Sequence, residues 1–339
     1  RAHVSDYQRL FRRVRLDLGG GAAAAPAVWG AGTARPGAPA FEKSLLKALE
    51  ELRLFNVHEH LIPERERVAQ PVDFFTLAGH YALNDVISAG LEGGALALVR
   101  NKDAPLGQRW KAFEPYWEAA RFTGYSQALR IAMADIYGAG EISAASISRI
   151  NDAIARANKP GLYDFVLKER ARIEWNLVDP YWSSKPERME RPDFLLSQRF
   201  DRFITPASRA DLDALEKIAG VAIDSLAGLK RALEATFEQG LRAGMVAVKS
   251  GLAYSRELFF DQTPESGAAE DFAALLKGGE TKRQYRRLED HMFHHLARLA
   301  AEHGVPFQIH TGLLAGNSRP FENTRPTHLA NLFQLYPRV

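Results

Sequence analysis

Short apolar runs alternate with longer stretches of helical periodicity along much of this 339-residue chain. The short runs predict strands at residues 54–61, 173–178, 194–203, 245–250 and 306–310. Apolar residues that recur every three or four positions predict helices over 41–53, 208–218, 225–243 and 282–303. Short strands that alternate with amphipathic helices are typical of βαβ units and a parallel sheet.

The first predicted strand is followed by a long and mainly helical segment, residues 72–170. Its periodicity predicts helices around 73–79, 83–89, 108–121, 125–133, 143–157 and 160–170. The sequence contains no G-x-G-x-x-G fingerprint and no Walker A motif, so a nucleotide-binding doubly wound sheet is disfavoured. The pattern therefore predicts an α/β fold built as a (β/α)8 barrel over residues 41–339, with a helical insertion at 72–170.

Residues 1–40 are predicted to be a separate segment. Residues 1–16 form a basic amphipathic pattern, and a Gly/Ala/Pro-rich linker follows up to residue 40. A surface helix is favoured over a membrane-surface or targeting role, because no apolar signal-peptide region follows. Residues 3–19 are also similar to a stretch of bacterial α-fucosidases. Since that stretch carries no catalytic carboxylate, we interpret it as a fused remnant or gene-boundary artefact.

Composition narrows the class of protein. The chain is 46% hydrophobic and 25% charged with a formal net charge of +3, which gives little support to a nucleic-acid partner. No window approaches the roughly 20 apolar residues of a membrane-spanning helix. The absence of cysteine excludes thiolate catalysis and Cys-ligated zinc, and it fits a cytoplasmic enzyme. The chain opens on Arg1 and stops at Val339, so we expect a fragment.

The first strand ends in His58-Glu59-His60. Because side chains alternate along a strand, His58 and His60 share one face with Asn56. Two imidazoles near the carboxyl end of a buried strand are suited to binding a metal ion. Taken alone, however, two histidines at this spacing are more often ordinary polar residues.

Two other predicted strands end in compatible groups. The strand at 306–310 ends in His310, with Gln308 on the same face, and the strand at 245–250 carries Lys249 near its end. A lysine within an apolar run needs a counter-charge, loses its proton, or is carbamylated to an anionic metal ligand. Because the active sites of parallel barrels lie at the carboxyl ends of the strands, these coincident signals predict a metal site.

Other residues are assigned roles by their positions. Four residues near predicted strand ends or in the insertion are candidates to bind an anionic substrate: His80, Arg202, Tyr254 and Arg256. A capping role for His80 and a surface role for each arginine are alternatives. Four histidines outside the strands are interpreted as packing or structural residues: His291, His294, His295 and His328.

With these strand ends in view, residues 41–339 resemble the amidohydrolase superfamily, and more closely its branch of uronate isomerases and amidohydrolase-related domains. The resemblance also rests on residues 56–61, 110–125, 173–176 and 323–329. It implies a distorted (β/α)8 barrel of the metal-dependent hydrolase type, with metal at its mouth. His58 and His60 match the first-strand ligand pair, Lys249 matches the fourth-strand end, and His310 matches the fifth-strand histidine.

The sequence departs from the family at two points. Asn56 stands where the family often has aspartate. The family's sixth-strand histidine and eighth-strand aspartate would lie beyond Val339. We therefore expect an incomplete barrel of about five strands that lacks the usual proton shuttle and is inactive alone.

The leading hypothesis is a metal-dependent amidohydrolase-type hydrolase that acts on a small carboxylated substrate through a metal-activated water. The metal ligands would be His58, His60, His310 and Lys249, and Lys249 and His310 would also be catalytic. Zinc is the first choice of metal, with manganese or iron as alternatives. Uronate isomerisation or decarboxylation on the same barrel is one alternative, and a non-catalytic module fused to another enzyme is a second. A small molecule is the expected partner, and neither nucleic acid nor membrane is expected. The sequence leaves undecided whether the chain forms a homo-oligomer.

Overall fold

A computed structural model describes residues 40–278, 285–317 and 319–337. The basic helix at 1–16, the α-fucosidase-like stretch and the linker up to residue 39 lie outside the described residues. So do the first three residues of the helix predicted over 282–303.

A parallel sheet of five strands, with the order β1-β2-β3-β4-β5, organises the fold. The strands are β1 (Leu54–Glu59), β2 (Ile173–Val178), β3 (Phe194–Arg199), β4 (Met245–Ser250) and β5 (Phe307–Ile309). The sheet is curled, because Gln308 on the last strand donates a hydrogen bond of 2.6 Å from Nε2 to the carbonyl oxygen of Val57 on the first strand. The five strands therefore form a half-barrel, and the predicted parallel α/β sheet is confirmed.

Seven α-helices of the described chain lie outside the segment that links β1 to β2. They are α1 (Ala40–Glu51), α9 (Asp201–Ile204), α10 (Arg209–Ala219), α11 (Leu226–Ala243), α12 (Glu265–Leu276), α13 (Arg286–His303) and α14 (Ala330–Leu335), with 3-10 turns at Leu252–Tyr254, Phe321–Thr324 and Pro326–Leu329. The main core lies between strands and helices, where Phe237 of α11 stacks on Phe200 at 5.6 Å between ring centroids. Both rings are fully buried.

The segment between β1 and β2 is helical, as its periodicity predicts. It contains α2 (Glu64–Ala69), α3 (Phe74–Ala78), α4 (Ala82–Ser88), α5 (Gly93–Arg100), α6 (Leu106–Ala120), α7 (Gly124–Asp135), α8 (Ile147–Ala157) and a π-helix (Asp164–Arg170). These helices enclose a second cluster of buried side chains, in which Phe74, Phe113 and Trp117 make ring contacts with one another. The insertion thus has a hydrophobic core of its own.

The strand predicted over 194–203 is wrong beyond Arg199. The chain turns there into α9, from which Phe203 and Ile204 are buried in the main core. A short apolar run has the same pattern in a buried strand as in a buried helical turn, so periodicity could not separate the two. The correction moves the end of β3 from Phe203 to Arg199.

The apolar face of α1 lies open. Phe41 is 76% exposed, Leu45 and Leu49 are each about half exposed, and so is Leu52, which directly follows the helix. Among the described residues, the helices lack an apolar stretch of the length needed to cross a membrane.

Candidate metal and substrate site

The carboxyl ends of the strands place polar side chains along one edge of the half-barrel. The register pairs Arg199 of β3 with Lys249 of β4, and Lys249 with Gln308 of β5. Nζ of Lys249 donates to Oε1 of Gln308 at 2.9 Å and lies 3.4 Å from Nε2 of His58 on β1. Curling of the sheet therefore brings side chains from its two outer strands into one site.

Three imidazoles converge at this edge. The ring centroids of His58 and His60 are 5.1 Å apart, and those of His58 and His310 are 5.6 Å apart. The structure thus brings together the three histidines that the sequence singles out. Lys249 is the fourth predicted member, and it lies beside them.

Hydrogen bonds to the backbone orient two of the rings. Nδ1 of His60 donates to the carbonyl oxygen of Asp179 at 2.9 Å, and Nε2 of His310 donates to that of Leu313 at 2.8 Å. Because a carbonyl oxygen can only accept, the bonded nitrogen carries the proton and the other ring nitrogen keeps its lone pair. Metal-binding histidines characteristically make such a second bond.

The electrostatics keep His58 neutral. Burial, and then the positive charge of Lys249, lower the pKa of His58 to about 4. Burial also lowers the pKa of His310 below its ordinary value. Neutral imidazole is the form that binds a metal ion, so the donor chemistry fits a divalent cation.

The three histidines do not by themselves form a complete metal-binding arrangement, however. Within the part of the chain that the structure describes, no three His, Asp or Glu side chains stand in a metal-binding arrangement. The cluster supplies suitably protonated donors, and an ion would require the rings to draw together or further ligands to join them.

Lys249 is deeply buried at the site, with 1% of its surface exposed. Burial lowers its pKa to about 8, although the nearby Asp179 carboxylate acts in the opposite direction. A lysine with this pKa is mainly protonated at neutral pH and can exchange its proton close to that pH.

Arg199 and Asp179 are site residues that the sequence analysis missed. Asp179 directly follows β2 and is 1% exposed, and its carboxylate accepts a hydrogen bond from the Arg199 guanidinium. Asp201 lies on the other side of that guanidinium, 3.8 Å from Nε. The signal that could have identified Arg199 is its position at the carboxyl end of β3. Because the predicted third strand continues to residue 203, Arg199 fell inside that strand and not at its end.

Two of the predicted substrate-binding residues lie close to the cluster. The Tyr254 ring is 5.1 Å from that of His310, and its hydroxyl accepts a hydrogen bond from the backbone nitrogen of Ala315 at 3.0 Å. His80 packs against Tyr81, with 4.1 Å between ring centroids. Burial and then the charge of His60 lower the pKa of His80, which shows that it is near the cluster.

The two arginines predicted to bind substrate lie elsewhere. Arg202 is exposed on α9 and contacts Oγ of Ser184 at 3.5 Å, while Arg199 occupies the strand end. Arg256 is 2% exposed and pairs with the buried carboxylates of Glu289 and Asp290. The contacts of Arg256 support a role in holding the fold, because they leave its guanidinium occupied in the interior.

A cavity of about 370 Å³ opens over the cluster. His58, Lys249 and His310 line one side of it, and Tyr81 and Tyr125 of the insertion line the other. The two tyrosine rings stack at 4.6 Å and 11°. The helical insertion therefore forms a wall of the candidate site.

The histidines of α13 make packing contacts. Nδ1 of His291 bonds to the carbonyl oxygen of Thr263 at 3.1 Å, His294 bonds to the Tyr336 hydroxyl at 2.9 Å, and His295 bonds to Glu234 at 2.9 Å. His328, expected in the last helix, lies half-buried in the 3-10 turn Pro326–Leu329.

The curled parallel half-barrel is a fold that this chain shares with solved uronate and glucuronate isomerases. Two solved structures show the likeness. A uronate isomerase from Thermotoga maritima has a TM-score of 0.66 at 15% identity over 85% of this chain and 69% of that one. A glucuronate isomerase from Caulobacter crescentus has a TM-score of 0.68 at 18% identity over 91% and 72%.

One curated protein is similar in sequence as well. It is a uronate isomerase from Nostoc punctiforme, 24% identical in an alignment of length 297 that covers 80% of this chain. The chain spans 61% of the length of that relative. No family model matches the chain. A third structure, from a Lactobacillus casei protein proposed to be a metal-dependent hydrolase, has a TM-score of 0.53 at 15% identity over 86% of this chain and 66% of that one.

Proposed function

We propose that this protein is a divalent-metal-dependent enzyme that isomerises a small sugar acid of the uronate class. The observation that carries the proposal is the convergence of three histidines with Lys249 and Arg199 at the carboxyl ends of the strands. The similarity to uronate isomerases favours isomerisation over the hydrolysis that heads the sequence-based hypotheses.

The metal ion would be held by His58, His60 and His310. Two of these rings already have their protons fixed on the outward nitrogens by backbone carbonyls. When bound, a divalent ion supplies Lewis acidity to a carbonyl oxygen of the substrate. Zinc, manganese and iron are the candidates, and all three accept imidazole nitrogen.

The remaining polar groups suit a carboxylated and hydroxylated substrate. Arg199 presents a planar guanidinium that can bind a carboxylate through two hydrogen bonds. The buried Lys249, with its pKa of about 8, can donate or accept a proton at Nζ near neutral pH. Interconversion of an aldose and a ketose needs such a proton transfer between neighbouring carbons and consumes no water.

Solvent exchange tests the assignment. The chain is incubated with glucuronate and each candidate metal in D2O, and proton NMR follows the ketose product and deuterium at the neighbouring carbon. The proposal departs here from the sequence-based expectation of a fragment that is inactive alone, because Lys249 can transfer the proton: we expect both signals in the wild type and their loss in Lys249→Met. Turnover without metal, or metal-dependent loss of glucuronate without any ketose, would contradict the proposal.

Hydrolysis is the second candidate, because a structural neighbour is itself proposed to be a metal-dependent hydrolase. Incorporation of solvent ¹⁸O into the product would favour hydrolysis, and its absence together with deuterium incorporation would favour isomerisation. The non-catalytic alternative predicts partner binding without bound metal.

We also propose the barrel fold that the sequence predicts. The curled parallel half-barrel supports a distorted (β/α)8 barrel of the metal-dependent hydrolase type. A small-molecule substrate and a cytoplasmic location remain predictions from the sequence, which leaves the oligomeric state undecided.

A further inference from the structure

A second cavity lies inside the helical insertion. It has a volume of about 380 Å³, and its apolar walls include Phe75, Leu83, Val99 and Phe113. It shares no lining residue with the cavity over the histidine cluster. The insertion therefore offers room for a ligand that the strand-end site does not account for.

The ionisable side chains that line this cavity are all basic, and Thr76 is a neutral polar residue beside them. Arg100, Lys102, Arg109 and His80 line it, and none of its lining residues, all of which the structure describes, is Asp or Glu. Arg100 and Lys102 are exposed, and neither has an ion-pair partner among the described residues. Two cations without partners at the mouth of an apolar cavity favour an anionic ligand.

Arg109 strengthens this inference because it is built into the wall. It is 3% exposed, and its guanidinium lies 4.3 Å above the Phe75 ring. Its Nε donates to the carbonyl oxygen of Val99 at 3.0 Å, and its Nη1 pairs with Asp73. Within the described chain, Nη2 makes no hydrogen bond and is not fully enclosed, so this rigidly held guanidinium keeps a donor for a ligand.

We propose that this cavity is a second binding site, separate from the histidine cluster, for a small carboxylate with an apolar body. The ligand carboxylate would sit among Arg100, Lys102 and Nη2 of Arg109, and its apolar part would lie against Phe75 and Leu83. The proposal does not depend on the reaction at the strand-end site. Since His80 lines this cavity and the adjacent Tyr81 lines the cavity over the histidine cluster, a ligand here would adjoin the candidate active site.

Calorimetric titration with benzoate tests the proposal. The full chain is first stripped of metal with a chelator, because benzoate could otherwise bind a metal ion at the histidines. We expect saturable binding at about one site per chain, with the neutral isostere benzamide at least about tenfold weaker because it lacks the charge. Inorganic phosphate should also bind more weakly, since it has no apolar part.

A charge-matched pair of variants locates the site. Arg100→Gln with Lys102→Gln should weaken benzoate binding at least about tenfold. Lys111→Gln with Arg149→Gln removes the same charge from exposed positions of the insertion that do not line the cavity, and it should leave binding unchanged. Equal loss in both variants, no loss in the first, no saturable binding, or phosphate binding as tight as that of benzoate would overturn the proposal.

Discussion

Charges at two places in this protein are held by burial and by nearby partners. At the strand ends, burial and then the charges of Lys249 and Arg199 lower the pKa of His58 and His310. In the interior, Arg256 holds together the carboxylates of Glu289 and Asp290. His58, Lys249 and His310 line a cavity, whereas the guanidinium of Arg256 is occupied by its two carboxylate partners.

The histidine cluster could be anticipated from local pattern, because strand alternation places His58 and His60 on one face. The end of β3 could not, since the apolar run continues into α9. Arg199 was therefore overlooked in favour of Arg202. The burial of Arg256 depends on two carboxylates more than thirty residues away, which no local pattern reveals.

Arg256→Met should strongly destabilise the protein at neutral pH. It leaves two buried carboxylates without their counter-charge, a change that typically costs about 3–5 kcal/mol. Urea denaturation measures the loss, and Arg325→Met, which breaks the exposed pair with Glu322, should cost far less. An equal loss in both variants would contradict the structural role assigned to Arg256.

The loss of stability in Arg256→Met should change with pH in a definite direction. Burial raises the pKa of both Glu289 and Asp290 above their ordinary values, even beside Arg256. A carboxyl whose folded-state pKa is raised stabilises the fold below its unfolded pKa, and that stability is lost as pH rises through the folded value. Loss of Arg256 raises both values further. The deficit of Arg256→Met should therefore shrink from pH 7 to about pH 5, and a constant deficit would contradict this account.

Gly251→Ala should disturb the site with little effect on the fold. A Cβ atom at Gly251 would lie 2.7 Å from Nη1 of Arg199, so the guanidinium must move. We expect a raised KM for glucuronate and a change in unfolding free energy below about 1 kcal/mol, because the displaced atom ends a flexible side chain. Gly107→Ala has no neighbour within 4 Å and should leave KM unchanged. An unaltered KM in Gly251→Ala would argue against substrate binding by Arg199.

At the level of elements, periodicity located most of the fold. The strands at 173–178 and 245–250 have the predicted bounds, and the helix predicted over 225–243 is observed as Leu226–Ala243. These elements are bounded by strong local signals, such as the Ser225 cap and the left-handed Gly244. The curl of the sheet depends on contacts between distant strands, so the sequence pattern alone could not place β1 beside β5.

The insertion should depend on its own core. Phe113→Ala removes a fully buried ring from the cluster around Trp117 and should cost about 3–5 kcal/mol. Phe122→Ala removes a ring that is 70% exposed and should change stability by about 0.5 kcal/mol or less. Thermal unfolding followed by tryptophan fluorescence distinguishes the two, and similar losses would mean that the insertion is packed differently.

For the whole molecule, the open apolar face of α1 stands out against a well-packed interior. Leu45→Lys with Leu49→Lys should leave the unfolding free energy nearly unchanged and reduce self-association, because both side chains are about half exposed. Sedimentation velocity and urea denaturation measure the two effects. A large loss of stability would show that these leucines are buried in solution.

The metal content of the purified chain tests the central claim most directly. After exposure to zinc and removal of excess ion, elemental analysis should find about one ion per wild-type chain and far less in His58→Ala. His303→Gln, which changes a histidine at the end of α13, should retain the wild-type content. Unchanged metal content in His58→Ala would contradict the proposed metal centre.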